Sequence, residues 1–288
     1  MAFLIGTDST ADLPESFIKE RNITVFELTT NIGGETYGTD KKLDVKNFYG
    51  LLRNGENATT SQVNPDEAKE NLLKMLEKGN EILYVAFSSG LSGTFNSVRL
   101  AAEEICEDNP DAKIIVIDSK CASLGEGLLV NYIADLRDEG KTIDEVATWA
   151  NEHALNVVHM FTVDDLNFLF RGGRVSKSAA LLGTVLNIKP VLHVDDEGHL
   201  VPLSKVRGRK KALLSLVDGM EEKIGSFVNK NDVFYVSHGD CIEDAEFVRD
   251  EVKSRFHIDD SMINFVGPVV GSHSGPGTVA LFFMGDNR

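Results

Sequence analysis

Scarce and missing features narrow what this sequence can be. It has only three cysteines, Cys106, Cys121 and Cys241, widely spaced and without a CxxC pair, so neither a disulfide framework nor a zinc cluster is expected. Reduced cytoplasm is therefore the expected compartment. No apolar run approaches the length of a membrane span, and the apolar start lacks the basic lead of a signal peptide, so we expect a first strand there.

Positive charge is also scarce. The 288 residues carry a formal net charge of −16, which opposes binding to nucleic acid and to anionic membrane surfaces. We expect no stable insertion into a membrane. Leu166 to Ser215 is the exception, with nine basic against three acidic residues. This segment predicts a local basic face on an acidic protein. Such a face suits a docking surface for an acidic partner or a phosphate.

Two nucleotide-binding motifs are missing, since neither GxxxxGK[ST] nor GxGxxG occurs. His238-Gly239-Asp240-Cys241 contains side chains that bind metals, but its spacing matches no known zinc pattern. We therefore expect no metal and no cofactor.

Apolar periodicity predicts an α/β protein. Residues 1–156 alternate short apolar strands with helices, the pattern of a parallel-sheet α/β/α domain. Residues 157–288 predict a smaller α+β domain with a mixed sheet, including a hairpin around Asp195–Gly198 and an apolar helix over Ala179–Leu186.

Ser88–Thr94 is the most unusual stretch. It joins a buried strand at Ile82–Phe87 to a helix at Phe95–Cys106, and it contains three Ser, one Thr and two Gly. A helix N-terminus with added hydroxyl donors suits an anion, although the stretch would also serve simply as a helix cap. The hydroxyl-rich strand ends of this half carry no Lys or Arg before position 120, which favours a carboxylate over a phosphate.

Three further stretches have a functional and a structural interpretation. Thr59–Gln62 is a second hydroxyl cluster or a capping run before the Asn64-Pro65 helix start. Gly267–Thr278, with four Gly and two Pro, predicts a sharply turning chain around His273, which is either structural or part of a site. Two guanidinium groups lie in Arg171-Gly172-Gly173-Arg174, where they would either bind a partner or make structural contacts within the chain.

An acyl hydrolase using Ser92 and His273 is the alternative function. Gly90-Leu91-Ser92-Gly93-Thr94 lies between a strand and a helix, as a nucleophile elbow does, and a histidine follows late in the chain. Thr94 departs from the elbow pattern, because a β-branched residue is awkward in that strained turn. The match is incomplete, and the alternative remains open.

Five stretches in order resemble one family along the whole chain. They are Thr7–Leu13, Thr60-Ser61-Gln62, Ser88–Thr94, Arg171–Arg174 and Gly271–Gly277. Together they are similar to the DegV family of bacterial fatty-acid-binding proteins. The resemblance implies two domains, here 1–156 and 157–288, with a long-chain fatty acid of palmitate, stearate or oleate type between them and its tail in the second.

The resemblance also implies roles for residues and partners. Thr60, Ser61, Ser92, Gly93 and His273 would hold the carboxylate, and Arg171, Arg174 and Arg207 would face a partner. That partner would be a separate ATP-dependent fatty-acid kinase that forms the acyl phosphate for phospholipid metabolism. The chain itself would be no enzyme, and its contact with membrane enzymes would be transient. By composition, the expected tail-lining residues are Phe168, Phe170, Leu181, Leu182, Leu186, Phe282 and Phe283.

Overall fold

A computed structural model describes residues 3–176 and 187–288. Within them the strands are β1 (Leu4–Asp8), β2 (Ile23–Phe26), β3 (Thr29–Ile32), β4 (Glu35–Tyr37), β5 (Thr59–Ser61), β6 (Glu81–Ala86), β7 (Lys113–Asp118), β8 (Val157–Thr162), β9 (Ile188–Val194), β10 (Leu200–Arg207), β11 (Val233–His238), β12 (Asp260–Phe265) and β13 (Val279–Met284). The helices are α1 (Glu15–Glu20), α2 (Val45–Arg53), α3 (Pro65–Leu76), α4 (Thr94–Asp108), α5 (Leu124–Asp138), α6 (Ile143–His153), α7 (Asn167–Arg171), α8 (Arg209–Lys223), α9 (Ile242–Phe256) and α10 (Pro268–Ser274). The helix predicted over Ala179–Leu186, with Leu181, Leu182 and Leu186, lies outside the described residues.

Two large sheets confirm the predicted fold class. Strands β2-β1-β6-β7 form a fully parallel sheet, and β10-β9-β8-β13-β11-β12 form a mixed sheet in which only β11 and β12 are parallel. The predicted hairpin around Asp195–Gly198 joins β9 to β10. All six strands of the mixed sheet follow Asn156.

Side-chain caps fix several helix starts. Asp44 accepts from the Asn47 backbone N–H at the start of α2, and Asn64 accepts from that of Asp66 at the start of α3. Thr142 and Glu145 form a capping box at the start of α6. Each side chain accepts from an N–H that has no partner within its helix, so these starts were predictable from sequence.

A small antiparallel sheet, β4-β3-β5, was not predicted. Gly33 and Gly34, with φ of +62° and +81°, make the tight turn between β3 and β4. Thr59–Ser61 is strand β5, paired so that Thr60 lies opposite Thr30. The interpretation of these threonines as a capping run is therefore wrong, because they form a strand that pairs with β3.

The prediction of a sharply turning chain over Gly267–Thr278 is also wrong for the first part of this stretch. Pro268 begins helix α10, which carries His273 in its last turn. At Gly271 a Cβ would lie 2.7 Å from the Tyr49 hydroxyl, so the glycine allows the helix to pack closely on α2. A glycine-rich sequence here serves close packing rather than a loop.

Helix α5 lies between the two large sheets. Ten of its fifteen residues are buried, and it contacts β6 on one side and β8, β11 and β13 on the other. A helix buried on both sides needs apolar residues around its circumference rather than one stripe. One hydrophobic core joins α5 to both sheets and contains Val85, Leu128 and Phe282. None of the helices in the described ranges has the length and apolar character to cross a bilayer.

Candidate functional site

A cavity of about 350 Å³ lies between the carboxyl edge of the parallel sheet and one face of the mixed sheet. This volume falls within the usual range for small-molecule sites. The apolar lining residues are Leu28, Phe87, Leu91, Ala122, Phe161, Leu169, Val194, Leu200, Val266, Val269, Val270, Ala280 and Phe282. The polar ones are Thr60, Ser61, Gln62, Ser92, Ser123, His159, Arg174, Ser237, His273, Ser274 and Thr278, and Gly93 completes the lining.

All five residues predicted to hold a carboxylate line this one cavity: Thr60, Ser61, Ser92, Gly93 and His273. They come from β5, from the loop before α4 and from α10. The Thr60 Oγ1 atom lies 2.8 Å from His273 Nε2, although the two residues are 213 positions apart. Three distant stretches therefore meet at one polar wall.

Gln62, which sequence reasoning did not single out as an individual site residue, joins two of these stretches. Its amide nitrogen donates to Ser97 Oγ on α4 at 2.8 Å. The Gln62 carboxamide lies against Gly93, where a Cβ would displace it from its present position. The two hydroxyl clusters are thereby held side by side.

Ser92 is bonded to Thr94 rather than to a histidine. Its Oγ accepts from the Thr94 backbone N–H at 3.2 Å and lies 2.9 Å from Thr94 Oγ1. Ser92 thus accepts from the first backbone N–H of α4. The described hydrogen bond of His273 goes to Thr60, so the serine–histidine pair of a hydrolase is not formed in this arrangement.

His273 is held neutral at pH 7. Burial, together with the smaller effect of the nearby positive charge of Arg174, lowers its pKa to about 4. Its Nδ1 is buried and has no hydrogen-bond partner in the described part of the chain. A neutral imidazole supplies one hydrogen-bonding edge to this wall without a formal charge.

Arg174 lies on the cavity wall instead of facing outward. Its Nε and Nη2 atoms donate to the Leu91 carbonyl at 3.2 and 3.1 Å, and Nη1 donates to the Gly172 carbonyl. Burial lowers the pKa of the guanidinium. Arg174 therefore holds the Ser88–Thr94 loop and lines the cavity, and its contact with a partner stays a prediction.

Arg171 and Arg207 are exposed, in contrast. The Arg171 guanidinium lies over the Phe168 ring, 4.7 Å from its centroid, and donates to Asn57 Oδ1 at 3.2 Å. Arg207 ends β10, an edge strand of the mixed sheet. Both are accessible to a partner, and their role in contacting one stays a prediction.

Of the described residues expected to line the tail, only Phe282 lines the cavity. Phe283, its neighbour on β13, points to the opposite face of the sheet and packs in another core. Phe168 packs against the cluster around Phe48, and Phe170 is 38% exposed. The expectation is therefore corrected for Phe168, Phe170 and Phe283.

Several residues of β8 and β13 that line the cavity were not predicted, and the register of these two strands explains their position. His159 and Phe161 of β8 lie opposite Phe282 and Ala280 of β13, and all four line the cavity. Alternation along each strand could have separated these residues from Val158 and Met160, which pack on the far side. Which face meets a cavity, however, depends on the packing of α5 and α10.

A network of buried carboxyl groups lies behind the cavity. Glu126 accepts from Thr7 and Thr10, both at 2.9 Å, and Thr10 also bonds Asp8. Asp12 accepts from Ser123, a cavity-lining residue, at 2.5 Å. Burial raises the pKa of Asp8 to about 6 and that of Asp12 to about 8, and it raises that of Glu126 well above its usual value. Neither these carboxyl groups nor any other three His, Cys, Asp or Glu side chains in the described ranges form a cluster that could hold a metal ion.

Comparisons with known proteins place the chain in one family. The model of a family described as uncharacterised protein, DegV family, matches residues 2–286. A DegV domain-containing protein of Clostridium perfringens is 44% identical, over 99% of this chain and 98% of its own. A solved structure presented as fatty acid binding of a DegV family protein from Thermus thermophilus has a TM-score of 0.87 at 31% identity, over 99% of this chain and 100% of that one.

A hypothetical protein from Thermotoga maritima, whose structure is said to reveal a fatty acid binding function, has a TM-score of 0.85 at 29% identity, with 99% of each chain covered. These similarities extend along both sheets and the cavity between them. The chain therefore belongs to the DegV family.

Proposed function

We propose that this protein binds a long-chain fatty acid of palmitate, stearate or oleate type without catalysing a reaction on it. The observation that carries the proposal is a cavity with an apolar lining and one wall of hydroxyl groups. That wall is formed by Thr60, Ser61, Ser92, Gly93 and His273, the residues proposed to hold the carboxylate. The fatty acid binding described for the Thermus thermophilus and Thermotoga maritima relatives supports fatty-acid binding by this chain.

The polar wall suits an anionic oxygen group. Its hydroxyl groups can donate hydrogen bonds, and the Arg174 guanidinium adds a positive charge on the same cavity. Arg174 already bonds to two backbone carbonyls, so its charge acts at longer range than a bidentate ion pair. In this proposal the carboxylate is oriented mainly by hydroxyl groups and remains open to a reaction partner.

The tail supplies most of the binding energy in this proposal. Each methylene group transferred from water contributes about 0.8 kcal/mol. Leu28, Phe161, Val269 and Phe282 are among the apolar side chains placed to contact it. The proposed tail site thus lies between the two halves of the chain rather than within residues 157–288 alone.

We further propose that the protein presents the carboxylate to a separate ATP-dependent fatty-acid kinase in the cytoplasm. A carboxylate oxygen would attack the terminal phosphorus of ATP, giving the acyl phosphate and releasing ADP, with all catalytic groups on the kinase. Arg171 and Arg207 are exposed and suit an acidic partner surface. In this proposal the half-buried Arg174 acts on the cavity wall.

The experiment that tests fatty-acid binding is a titration of delipidated protein with palmitate and with methyl palmitate. The two ligands share the tail, and only palmitate offers an anionic carboxylate, so we expect it to bind at least about tenfold more tightly. Thr60→Val should reduce that difference, whereas Thr59→Val, an exposed neighbour on the same strand, should not. Equal affinities of the wild type for both ligands would contradict the head-group assignment.

The hydrolase alternative has its own test. An activated serine at Ser92 would be labelled by a fluorophosphonate probe, because such probes react with nucleophilic serines. We expect no labelling, since Ser92 bonds to Thr94 and His273 bonds to Thr60. Labelling that disappears in Ser92→Ala would favour the hydrolase instead.

A further inference from the structure

Thr94 connects the two hydroxyl clusters although it does not itself line the described cavity. It is the first residue of α4 and is fully buried. Its Oγ1 accepts from the Val63 backbone N–H at 3.3 Å and lies 2.9 Å from Ser92 Oγ. Its backbone N–H donates to that same Ser92 oxygen.

The direction of the bond between the two hydroxyl groups follows from counting donors. A hydroxyl group has one proton to donate and two lone pairs to accept with. If Ser92 donated to Thr94, then Thr94 Oγ1 would accept twice and its own buried proton would have no acceptor in the described structure. An unmade hydrogen bond of a buried group costs about 1–3 kcal/mol. The opposite direction, from Thr94 to Ser92, leaves no such group.

With this direction both lone pairs of Ser92 are occupied, one by the Thr94 backbone N–H and one by the Thr94 hydroxyl. The remaining proton of Ser92 is then available at the cavity wall. The bonds form a chain that begins at the Val63 N–H, passes through Thr94 and ends at the Ser92 hydroxyl. Each member donates to the next.

We propose that Thr94 is a positioning residue that fixes the Ser92 hydroxyl as a hydrogen-bond donor toward the ligand. This inference rests on the proposed function, in which the ligand's carboxylate binds at Ser92. It adds a specificity rule: the group that binds Ser92 must accept a hydrogen bond, because Ser92 has no lone pair left to receive one. A carboxylate satisfies the rule, and an alkylammonium group does not.

A double-mutant cycle on palmitate affinity tests the inference. Thr94→Val removes the hydroxyl group and keeps the shape, so we expect about tenfold weaker binding, whereas Thr94→Ser should stay within about twofold of the wild type. In a Ser92→Ala background Thr94→Val should change the affinity by less than about twofold, because its effect acts through Ser92. Circular dichroism verifies folding, and Thr94→Ala makes the same deletion if the valine variant does not fold.

Other results of the double-mutant cycle would contradict the proposed role of Thr94. An equal loss in both backgrounds, or no rescue by serine, would show that Thr94 acts only on the fold and would overturn the inference while leaving fatty-acid binding intact. Unchanged affinity of Thr94→Val would overturn it as well. A wild-type protein that does not bind palmitate would overturn the proposed function and this inference together.

Discussion

At the polar wall of the cavity, single hydroxyl groups determine what can bind. Thr60 is bonded to a neutral histidine, and Ser92 is bonded to a buried threonine. Of the two arrangements, that of Ser92 does not produce a strong nucleophile, because a nucleophilic serine needs an adjacent base and Ser92 is bonded to a hydroxyl group instead. Both leave hydroxyl groups at the surface of an otherwise largely apolar cavity, where a hydrogen bond to an anion is strengthened by the low local polarity.

Removing the Ser92 hydroxyl should weaken fatty-acid binding selectively. A hydrogen bond to a charged group contributes about 1.5–3 kcal/mol, so Ser92→Ala should lower palmitate affinity by roughly 10- to 100-fold. Isothermal titration with delipidated protein measures this change. Ser89→Ala is the matched control, because Ser89 is exposed in the same loop and is bonded to Lys120 instead. An equal effect of both substitutions would show that the loop is merely sensitive to change.

The two arginines of the Arg171–Arg174 stretch should behave differently. Arg174→Ala removes the bonds to Leu91 and a charge from the cavity wall, so we expect palmitate binding to weaken by about tenfold or more. Arg171→Ala should leave palmitate affinity within about twofold and reduce acyl phosphate formation by a cognate kinase. Affinity measurements together with a kinase assay distinguish the two. Loss of lipid binding in Arg171→Ala would contradict its assignment to a partner surface.

At the scale of elements, strand β13 separates the cavity from the opposite core. Phe282 faces the cavity, and Phe283 packs among Leu213, Val236 and their neighbours. Neighbouring residues of a strand point to opposite faces, so two adjacent phenylalanines have different surroundings. They provide an internally matched pair for separating ligand effects from effects on stability.

Phe283→Ala should lower the free energy of unfolding by about 3–5 kcal/mol, the usual cost of removing a buried phenylalanine. Its palmitate affinity should stay within about twofold of the wild type. Phe282→Ala should enlarge the cavity and shift the mixture of bound acids toward longer or bulkier chains. Chemical denaturation and mass spectrometry of extracted lipids measure the two effects. If only Phe283→Ala changed the mixture of bound acids, the tail would lie on the face of the mixed sheet opposite to the cavity, which would contradict the proposed tail site.

Local signals in the sequence predicted most elements. Apolar periodicity predicted the alternating strands and helices of residues 1–156 and the mixed sheet of residues 157–288, and Asn64-Pro65 marked a helix start that the structure confirms. The β3–β4 hairpin was missed because its strands are short and polar around Gly33-Gly34. Helix α10 was missed because Gly271 and Gly275 suggest turns, whereas packing against Tyr49 holds residues 268–274 as a helix.

The whole molecule assembles a site that local patterns cannot specify. Thr60, Ser92 and His273 were named from the hydroxyl-rich loops and from resemblance to the family, and the structure brings them to one cavity. The inward position of Arg174 depends on a bond to Leu91, 83 residues away, and no spacing rule predicts that contact. The apolar lining likewise depends on which faces of β8 and β13 the rest of the chain covers.

The buried carboxyl groups predict how stability depends on pH. The pKa of Asp12 is about 8 in the folded chain, against 3.8 as its usual value. The folded protein therefore binds a proton that the unfolded chain has lost, and its contribution to stability, complete below pH 3.8, disappears as the pH rises to about 8. Asp8 and Glu126 act in the same direction.

In the unfolded chain a histidine with the usual pKa of about 6.5 is mostly neutral above pH 7.5, so the carboxyl groups should dominate between pH 7.5 and 8. We expect the melting temperature to fall across this interval. Asp12→Asn should show a shallower fall, since its amide does not titrate and asparagine tolerates the φ of +52° at this position. A melting temperature that rises over the interval, or an unchanged slope in the variant, would contradict the raised pKa of Asp12.

Native mass spectrometry of the gently purified protein shows whether the cavity holds a fatty acid and whether the polar wall retains it. We expect the wild-type spectrum to show the protein with one added mass, that of an acid of palmitate, stearate or oleate type. Thr60→Val combined with Ser92→Ala should lose most of this species, and Thr59→Val combined with Ser89→Ala should keep it. A ligand-free wild-type spectrum, with no uptake of added palmitate, would show that the cavity does not bind a fatty acid.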